Sequence, residues 1–178
     1  MKYIIICMLI LLIMLPYTAE ASVDEEVRRV VLKTDKGFVD DSMSFFSRLG
    51  DKEVAIPLML AIPDKELRKD AFLGVSSTML ITEVIKCSVG KTRPNTGRRD
   101  FEPFSGYKSF PSGHATGAFA LATAVSEHYP KYKVYVYTIA TLVAVSRLYE
   151  DKHWITDVAV GSAIGHYGTK FVLKKWKW

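Results

Sequence analysis

The sequence predicts an all-α protein, a bundle of five or more helices, from two observations. Strand signals are nearly absent, because the 178-residue chain has no Asn-Gly or Asp-Gly pair between alternating apolar runs. Helix start and stop signals recur instead, from acidic first turns to closing glycines and prolines. Hydrophobic residues make up 49% of the chain, so a single domain of this length can bury a substantial core.

Five segments carry these helix signals, at residues 22–33, 65–86, 115–127, 132–148 and 155–174. The first is amphipathic and has acids in its first turn. The second follows Pro63-Asp64 and is expected to end at Gly90. The third follows Ser112, a good N-cap residue, and is ended by Pro130. Helices in this order predict a bundle.

Residues 1–21 are predicted to be a secretory signal peptide, which leaves one domain at residues 22–178. Lys2 precedes an apolar stretch at residues 3–15, and Ala19-Glu20-Ala21 supplies the small residues that a signal peptidase requires. An uncleaved N-terminal anchor is the alternative. In both cases the domain is expected outside the cytoplasm, in the periplasm or at the cell exterior.

The apolar runs of the remaining chain favour a soluble domain over a membrane-spanning one. The longest charge-free run, at residues 134–146, has 13 residues. It would reach about 20 Å as a helix, short of the roughly 30 Å of the hydrocarbon core. The basic, aromatic tail at 174–178 would suit peripheral contact with an anionic membrane. The net charge of +5 comes without a nucleic-acid motif, so a nucleic-acid partner is not expected.

Two short clusters carry candidate anion-binding groups, the first at the end of the second predicted helix and the second at the start of the third. Lys86 falls on the apolar face of its helix, where a cation is out of place unless an anion meets it. Arg93 follows just after that helix ends. In the second cluster Ser112 precedes Gly113, which lets a ligand approach the backbone, and His114. A helix N-terminus binds anions, so His114 would lie within reach of a bound oxyanion.

A third cluster joins Arg147 to His153 and Asp157. The last two stand four residues apart, so on a helix they would face the same way and could hydrogen-bond. A carboxylate behind an imidazole fixes its tautomer and raises its basicity, as a nucleophile or general base requires. Three cations, a helix start and two histidines are together what phosphoryl transfer without a metal would need.

In order along the chain, the three clusters resemble the three signature motifs of the type 2 phosphatidic acid phosphatase superfamily. That superfamily includes bacterial class A acid phosphatases and vanadium haloperoxidases. The resemblance implies an α-helical bundle of the acid phosphatase/haloperoxidase type, a phosphohistidine intermediate, and neither a metal nor another cofactor. It implies His153 as nucleophile, His114 as general acid and Asp157 as the residue that orients the nucleophile. The implied phosphate ligands are Lys86, Arg93, Ser112, Gly113 and Arg147.

The expected function is therefore an extracytoplasmic phosphatase that hydrolyses phosphate monoesters of small molecules or lipids. An integral membrane phosphatase acting on lipid or prenyl (di)phosphates is the main alternative. A vanadium haloperoxidase is less favoured, since haloperoxidases of this type are much longer chains. A non-catalytic phosphate-binding module is opposed by the intact His153–Asp157 pair.

Overall fold

The computed structural model describes residues 21–33, 37–98 and 100–176. The first 20 of the 21 residues of the predicted signal peptide and the last two residues of the basic tail lie outside these ranges. Within them the chain forms α1 (Ala21–Leu32), α2 (Gly37–Leu49), α3 (Lys52–Leu60), α4 (Lys65–Val89), α5 (Gly113–His128), α6 (Lys133–Tyr149), α7 (Ile155–Ala163) and α8 (Thr169–Trp176). The described ranges hold no strand, only an isolated bridge between Lys91 and Phe101. The all-α prediction is confirmed.

The five predicted helices are present, and α2 and α3 are additional. The last predicted helix divides into α7, a π-helical turn at Ile164–Gly168, and α8. The longest helix, α4, begins where the Asp64 side chain accepts hydrogen bonds from the backbone N–H groups of Glu66 and Leu67, at 2.9 and 3.1 Å. It ends at Gly90, whose φ of 58° lies in the left-handed region that favours glycine.

Helix α5 packs against α4, α6 and α7, and its buried face is built from small residues. Gly161 of α7 lies so close to α5 that a Cβ there would be 2.5 Å from the backbone oxygen of Ser112. Gly165, in the π-helical turn, would place a Cβ 2.3 Å from the backbone oxygen of Thr116. The two glycines therefore bring these helices into backbone contact next to the start of α5.

The outer face of α4 is apolar and exposed. Its most apolar 18-residue window has a mean hydropathy of 1.4, and only 33% of that window is buried. Phe72, Leu80 and Val84 are 58%, 68% and 59% exposed. At 25 residues the helix is about 37 Å long, enough to cross a bilayer. The expectation that no segment reaches a spanning length is wrong for α4. It was based on charge-free runs, and Glu83 ends such a run although the helix continues through this residue.

Candidate active site

The three clusters found in the sequence meet at one end of the bundle. The first lies at the end of α4 and the turn after it, the second at the start of α5, and the third between α6 and α7. The backbone N–H of Ser112 donates to the backbone oxygen of Asp157 at 2.9 Å, which ties the second cluster to the third. The Trp154 indole donates to the backbone oxygen of Thr92 at 2.9 Å, which ties the third to the first.

His153 lies in the segment before α7 and is only 4% exposed. Its Nδ1 is 3.4 Å from Oδ2 of Asp157, a contact longer than a good hydrogen bond. Burial lowers the pKa of His153 below its usual value, although Asp157 opposes this shift. The imidazole is therefore neutral at pH 7. Nδ1 faces the carboxylate, and Nε2 is the ring nitrogen on the other side.

Asp157 is held by the first turn of α7. Its Oδ2 accepts hydrogen bonds from the Trp154 backbone N–H at 3.0 Å and from the Ser109 hydroxyl at 2.5 Å. His153 and Asp157 lie side by side as predicted, but at 3.4 Å Nδ1 makes no hydrogen bond, and the helical geometry predicted for the pair is wrong. His153 precedes the helix, and a capping arrangement at the helix start brings the two side chains together.

His114 lies in the first turn of α5, with 23% of its side chain exposed. Its Nε2 is 2.9 Å from Oδ1 of Asp51, which lies between α2 and α3. Gly50 packs on the imidazole, because a Cβ there would lie 2.6 Å from Cδ2 of His114. Burial and the nearby Arg147 charge lower the pKa of His114 to about 4, with Asp51 opposing them. Asp51 was not predicted from the sequence as a partner of this histidine.

Lys86 and Arg93 supply positive charge from the end of α4. Lys86 is 7% exposed, and its Nζ contacts Oε1 of Glu83 at 3.1 Å. Gly113 lies directly beside it, since a Cβ there would be 3.0 Å from Nζ of Lys86. Arg93 is exposed and takes part in none of the ion pairs among the described residues. With no side chain at Gly113, the space beside Nζ of Lys86 stays open.

Arg147 and Ser112 each leave a buried polar atom without a hydrogen-bond partner among the described residues, namely Nε of Arg147 and Oγ of Ser112. The other end of the Arg147 guanidinium is fixed, since Nη1 donates to Glu150 Oε2 at 2.8 Å and to the Ser47 hydroxyl. A buried donor left unpaired costs roughly 1–3 kcal/mol, so these two atoms indicate a missing acceptor. Phosphate oxygens would supply it.

Ser112 is the N-cap residue of α5, as predicted, yet its hydroxyl does not cap the helix. The hydroxyl is thereby available to a ligand beside the helix N-terminus. In the described part of the chain, no three His, Cys, Asp or Glu side chains are grouped so that they could hold a metal ion.

Comparison with known proteins identifies the family. The profile of the PAP2 superfamily matches residues 70–178, more than half of the chain, including all three clusters. The chain belongs to the PAP2 superfamily. The resemblance found in the sequence is confirmed.

Relatives in this superfamily are named as lipid phosphatases. A lipid A 1-phosphatase from Porphyromonas gingivalis is 29% identical over 133 residues, covering 68% of this chain and 29% of that protein. Phosphatidylglycerophosphatase B from Bacillus subtilis is 28% identical over 167 residues, covering 83% of this chain and 80% of that protein. The chain spans 29–44% of the length of three lipid A 1-phosphatases that it matches.

Two solved structures share the fold. The crystal structure of LpxE from Aquifex aeolicus superposes with a TM-score of 0.76 at 26% identity, covering 88% of this chain and 98% of that one. A transmembrane PAP2-type phosphatidylglycerolphosphate phosphatase from Bacillus subtilis gives a TM-score of 0.73 at 22% identity, covering 97% of this chain and 96% of that one. At that lower identity the second match supports the fold alone.

Proposed function

We propose that this chain is a membrane-embedded lipid phosphate phosphatase that works through a phosphohistidine on His153. The observation that carries the proposal is the pair of buried, unpartnered polar atoms on Ser112 and Arg147. Both residues are joined by backbone hydrogen bonds to the His153–Asp157 pair, Ser112 to Asp157 and His153 to Arg147. A phosphoryl group bound there would be held by cations next to a neutral imidazole.

The lipid character of the substrate is supported by the outer surface of the bundle. Exposed apolar side chains lie on several helices, among them Leu60 on α3, Leu80 on α4, Val134 on α6 and Phe171 on α8, each at least 60% exposed. Large exposed apolar areas mark membrane or partner contacts. Lys86 lies in the last turn of α4, so the phosphate site is at one end of an apolar helix. A lipid headgroup would occupy this position.

The names of the relatives support the same choice. They are phosphatases of lipid A, phosphatidylglycerophosphate and other lipid phosphates. The integral membrane alternative therefore has more support than the expectation of a soluble, extracytoplasmic phosphomonoesterase. The proposal retains one part of that expectation, namely that the site lies on the outer side of the membrane.

In the first proposed step, Nε2 of His153 attacks phosphorus and the bond from phosphorus to the ester oxygen breaks. His114 donates a proton to that oxygen, and the lipid alcohol leaves. His114 is neutral in the free protein at pH 7, because its pKa is about 4. A bound phosphate dianion raises that pKa, since a nearby opposite charge favours the charged imidazole. Substrate would thus bring His114 into its acid form.

In the second proposed step, water attacks the phosphorus of phosphohistidine and His114 takes one of its protons. The bond between phosphorus and Nε2 breaks, which releases inorganic phosphate and restores neutral His153. Asp157 stabilises the positive charge that the His153 ring carries while phosphorylated. Lys86, Arg93 and Arg147 hold the phosphoryl oxygens in both steps.

A phosphate-release assay on the full chain in detergent micelles tests the activity. Substrates are a phosphorylated glucosamine lipid, phosphatidylglycerophosphate, phosphatidic acid, a prenyl diphosphate and glycerol phosphate. We expect turnover of at least one lipid and none with His153→Ala, whereas His128→Ala, a histidine that contacts Asp70 at 2.9 Å, should retain turnover. Turnover of glycerol phosphate alone would contradict the lipid assignment.

Chelation tests the metal-free mechanism. The three cations supply the positive charge that a metal would otherwise provide, so hydrolysis should survive EDTA and be inhibited by vanadate, which mimics the pentacovalent phosphorus. Loss of activity in EDTA that zinc or magnesium restores would contradict the mechanism.

The membrane placement can be tested through Cys87, an exposed free cysteine next to Lys86. In intact cells a membrane-impermeant maleimide should label the chain, and Cys87→Ser should abolish this labelling. The protein should also stay in the pellet after carbonate extraction. Labelling only after lysis, or release by carbonate, would contradict the proposed placement.

A further inference from the structure

Lys91 is a buried cation that the mechanism above does not use. Its side chain is fully buried, and its Nζ contacts three acceptors. These are Oδ1 of Asp157 at 2.9 Å, Oγ1 of Thr156 at 2.9 Å and Oδ2 of Asp24 at 3.1 Å. An ammonium has three N–H donors, so all of them are used. Lys91 therefore has no donor left for a substrate phosphate, and its charge acts on its neighbours.

Aromatic rings enclose this ammonium. Its Nζ lies 5.9, 5.8 and 5.6 Å from the ring centroids of Phe101, Phe110 and Trp154. Rings at this distance attract a cation and exclude water from it. Charge interactions are stronger in such a dry site than at the protein surface. The contact between Lys91 and Asp157 is therefore a strong constraint on the carboxylate that supports His153.

Asp24 completes the cluster from α1, outside the part of the chain that the family profile matches. It is 1% exposed. Its Oδ1 accepts from the Thr156 backbone N–H at 3.1 Å, and its Oδ2 accepts from the Thr156 hydroxyl at 3.0 Å as well as from Lys91. A helix near the N-terminus is thus bound to the first turn of α7, where Asp157 lies.

The net charge of this cluster determines how strongly Asp157 can stabilise a positive charge on His153. Asp24 and Asp157 carry two negative charges and Lys91 one positive charge, so the cluster has a net charge of −1. Without Asp24, Lys91 would cancel the charge of Asp157. This matters because the positive charges of Arg93 and Arg147 both disfavour the positively charged form of His153.

We propose that Lys91 and Asp24 are positioning residues for the phosphohistidine step. Lys91 fixes the Asp157 carboxylate behind His153, and Asp24 balances Lys91 so that one negative charge stays available to the phosphorylated ring. The inference rests on the phosphohistidine mechanism proposed above.

This inference is tested on the full chain in detergent micelles. Rapid-quench experiments measure the rate of phosphoenzyme formation, and steady-state assays measure kcat and KM. Asp24→Asn retains the shape and an acceptor for Lys91 but removes the balancing charge. We expect phosphoenzyme formation and kcat to fall about 10- to 100-fold, with KM within about twofold. Lys170→Met, at a half-exposed lysine of α8 that lies 3.9 Å from Glu127, is the matched control and should change neither.

A second set of variants separates charge from shape. Lys91→Met leaves two buried carboxylates facing each other, so it should lose more activity than Asp24→Asn. Adding Asp24→Asn to Lys91→Met returns the net charge to −1, and we expect the double variant to be about tenfold faster than Lys91→Met alone. Lys91→Arg keeps a cation and should also exceed Lys91→Met. Far-UV circular dichroism confirms that each variant is folded before it is compared.

The outcomes are distinguishable. One outcome overturns this inference alone: the wild type traps label on His153, and Asp24→Asn forms the phosphoenzyme as fast as the wild type. If Lys91→Met does not fold, Asp24→Asn still decides. Absence of label on His153 in the wild type, with turnover intact, overturns the proposed mechanism and this inference with it.

Discussion

The site contains two histidine–carboxylate pairs that differ in their exposure to solvent and in how firmly their carboxylates are held. The His153–Asp157 pair is closed off from water, since His153 is 4% exposed and Asp157 fully buried. In the His114–Asp51 pair the side chains are 23% and 44% exposed. The buried pair is held by neighbours on several elements, whereas in the described part of the chain the Asp51 side chain hydrogen-bonds to His114 alone.

This difference follows from the two proposed roles. A nucleophile must be neutral and point in one direction, and a dry, fully bonded carboxylate behind it achieves both. A general acid must exchange its proton with substrate and then with water, which requires access to solvent. Substitutions in the two pairs should therefore reduce activity by different amounts, from His153 with the largest loss to Asp51 with the smallest.

The largest effect is expected at His153. His153→Ala removes the atom that forms the covalent bond, so turnover should fall by at least about 10⁴-fold and acid-labile label should disappear. Acid-quench trapping with a labelled lipid phosphate measures both. Label that persists in His153→Ala and vanishes in His114→Ala would reverse the two assignments.

Asp157→Asn should have the next largest effect, a loss of kcat on the order of 10³-fold. The amide keeps the size of the side chain but removes the charge that supports the His153 ring while it is phosphorylated. The matched change in the other pair is Asp51→Asn. A loss at Asp51 as large as that at Asp157 would show that the two pairs are not functionally distinct.

His114→Ala should depend on the leaving group. Alkyl esters need a proton to depart, so their hydrolysis should fall about 10²- to 10³-fold. p-Nitrophenyl phosphate has a leaving group that needs little protonation and should lose less than about tenfold. The ratio of the two kcat values measures the acid function, and equal losses on both esters would count against that function.

The smallest effect is expected for Asp51→Asn, a loss of about 3- to 10-fold, since a partly exposed pair interacts more weakly than a buried one. The sign of its pH effect is defined. The Asp51 charge raises the pKa of His114, so its removal lowers that pKa further. The acid form then disappears at a lower pH, and the basic limb of the kcat profile should move to lower pH. A limb that moves to higher pH contradicts the assignment.

The sequence predicted the residues that lie within short motifs and missed those whose partners are distant in the chain. Lys86, Ser112 and His153 were found because a cation on an apolar face, a helix cap and a histidine near an acid are local patterns. Asp51 was not found because its partner, His114, is 63 residues away. Lys91 lies within the first cluster, yet only the folded chain shows that it reaches Asp157.

The prediction of the fold was likewise limited to what local sequence patterns indicate. Helices with acidic starts and glycine or proline ends were found, whereas α3 was missed because Pro57 lies inside it and interrupts the helix pattern. The apolar character of α4 was underestimated because Glu83 and Lys86 interrupt its charge-free run. Whether a charged residue ends a helix or lies along it depends on what it contacts, which the sequence pattern does not contain.

The backbone contact that Gly161 and Gly165 make with α5 limits how this protein can be stabilised. Replacing glycine by alanine usually makes an isolated helix more favourable by about 1 kcal/mol. At these two positions the added methyl group would overlap the backbone oxygens of Ser112 and Thr116, at 2.5 and 2.3 Å. Relief of that overlap would move the start of α5 and with it Ser112 and Gly113, the proposed phosphate ligands. An engineer who improves helix propensity along α7 and the π-helical turn after it must therefore leave both glycines in place.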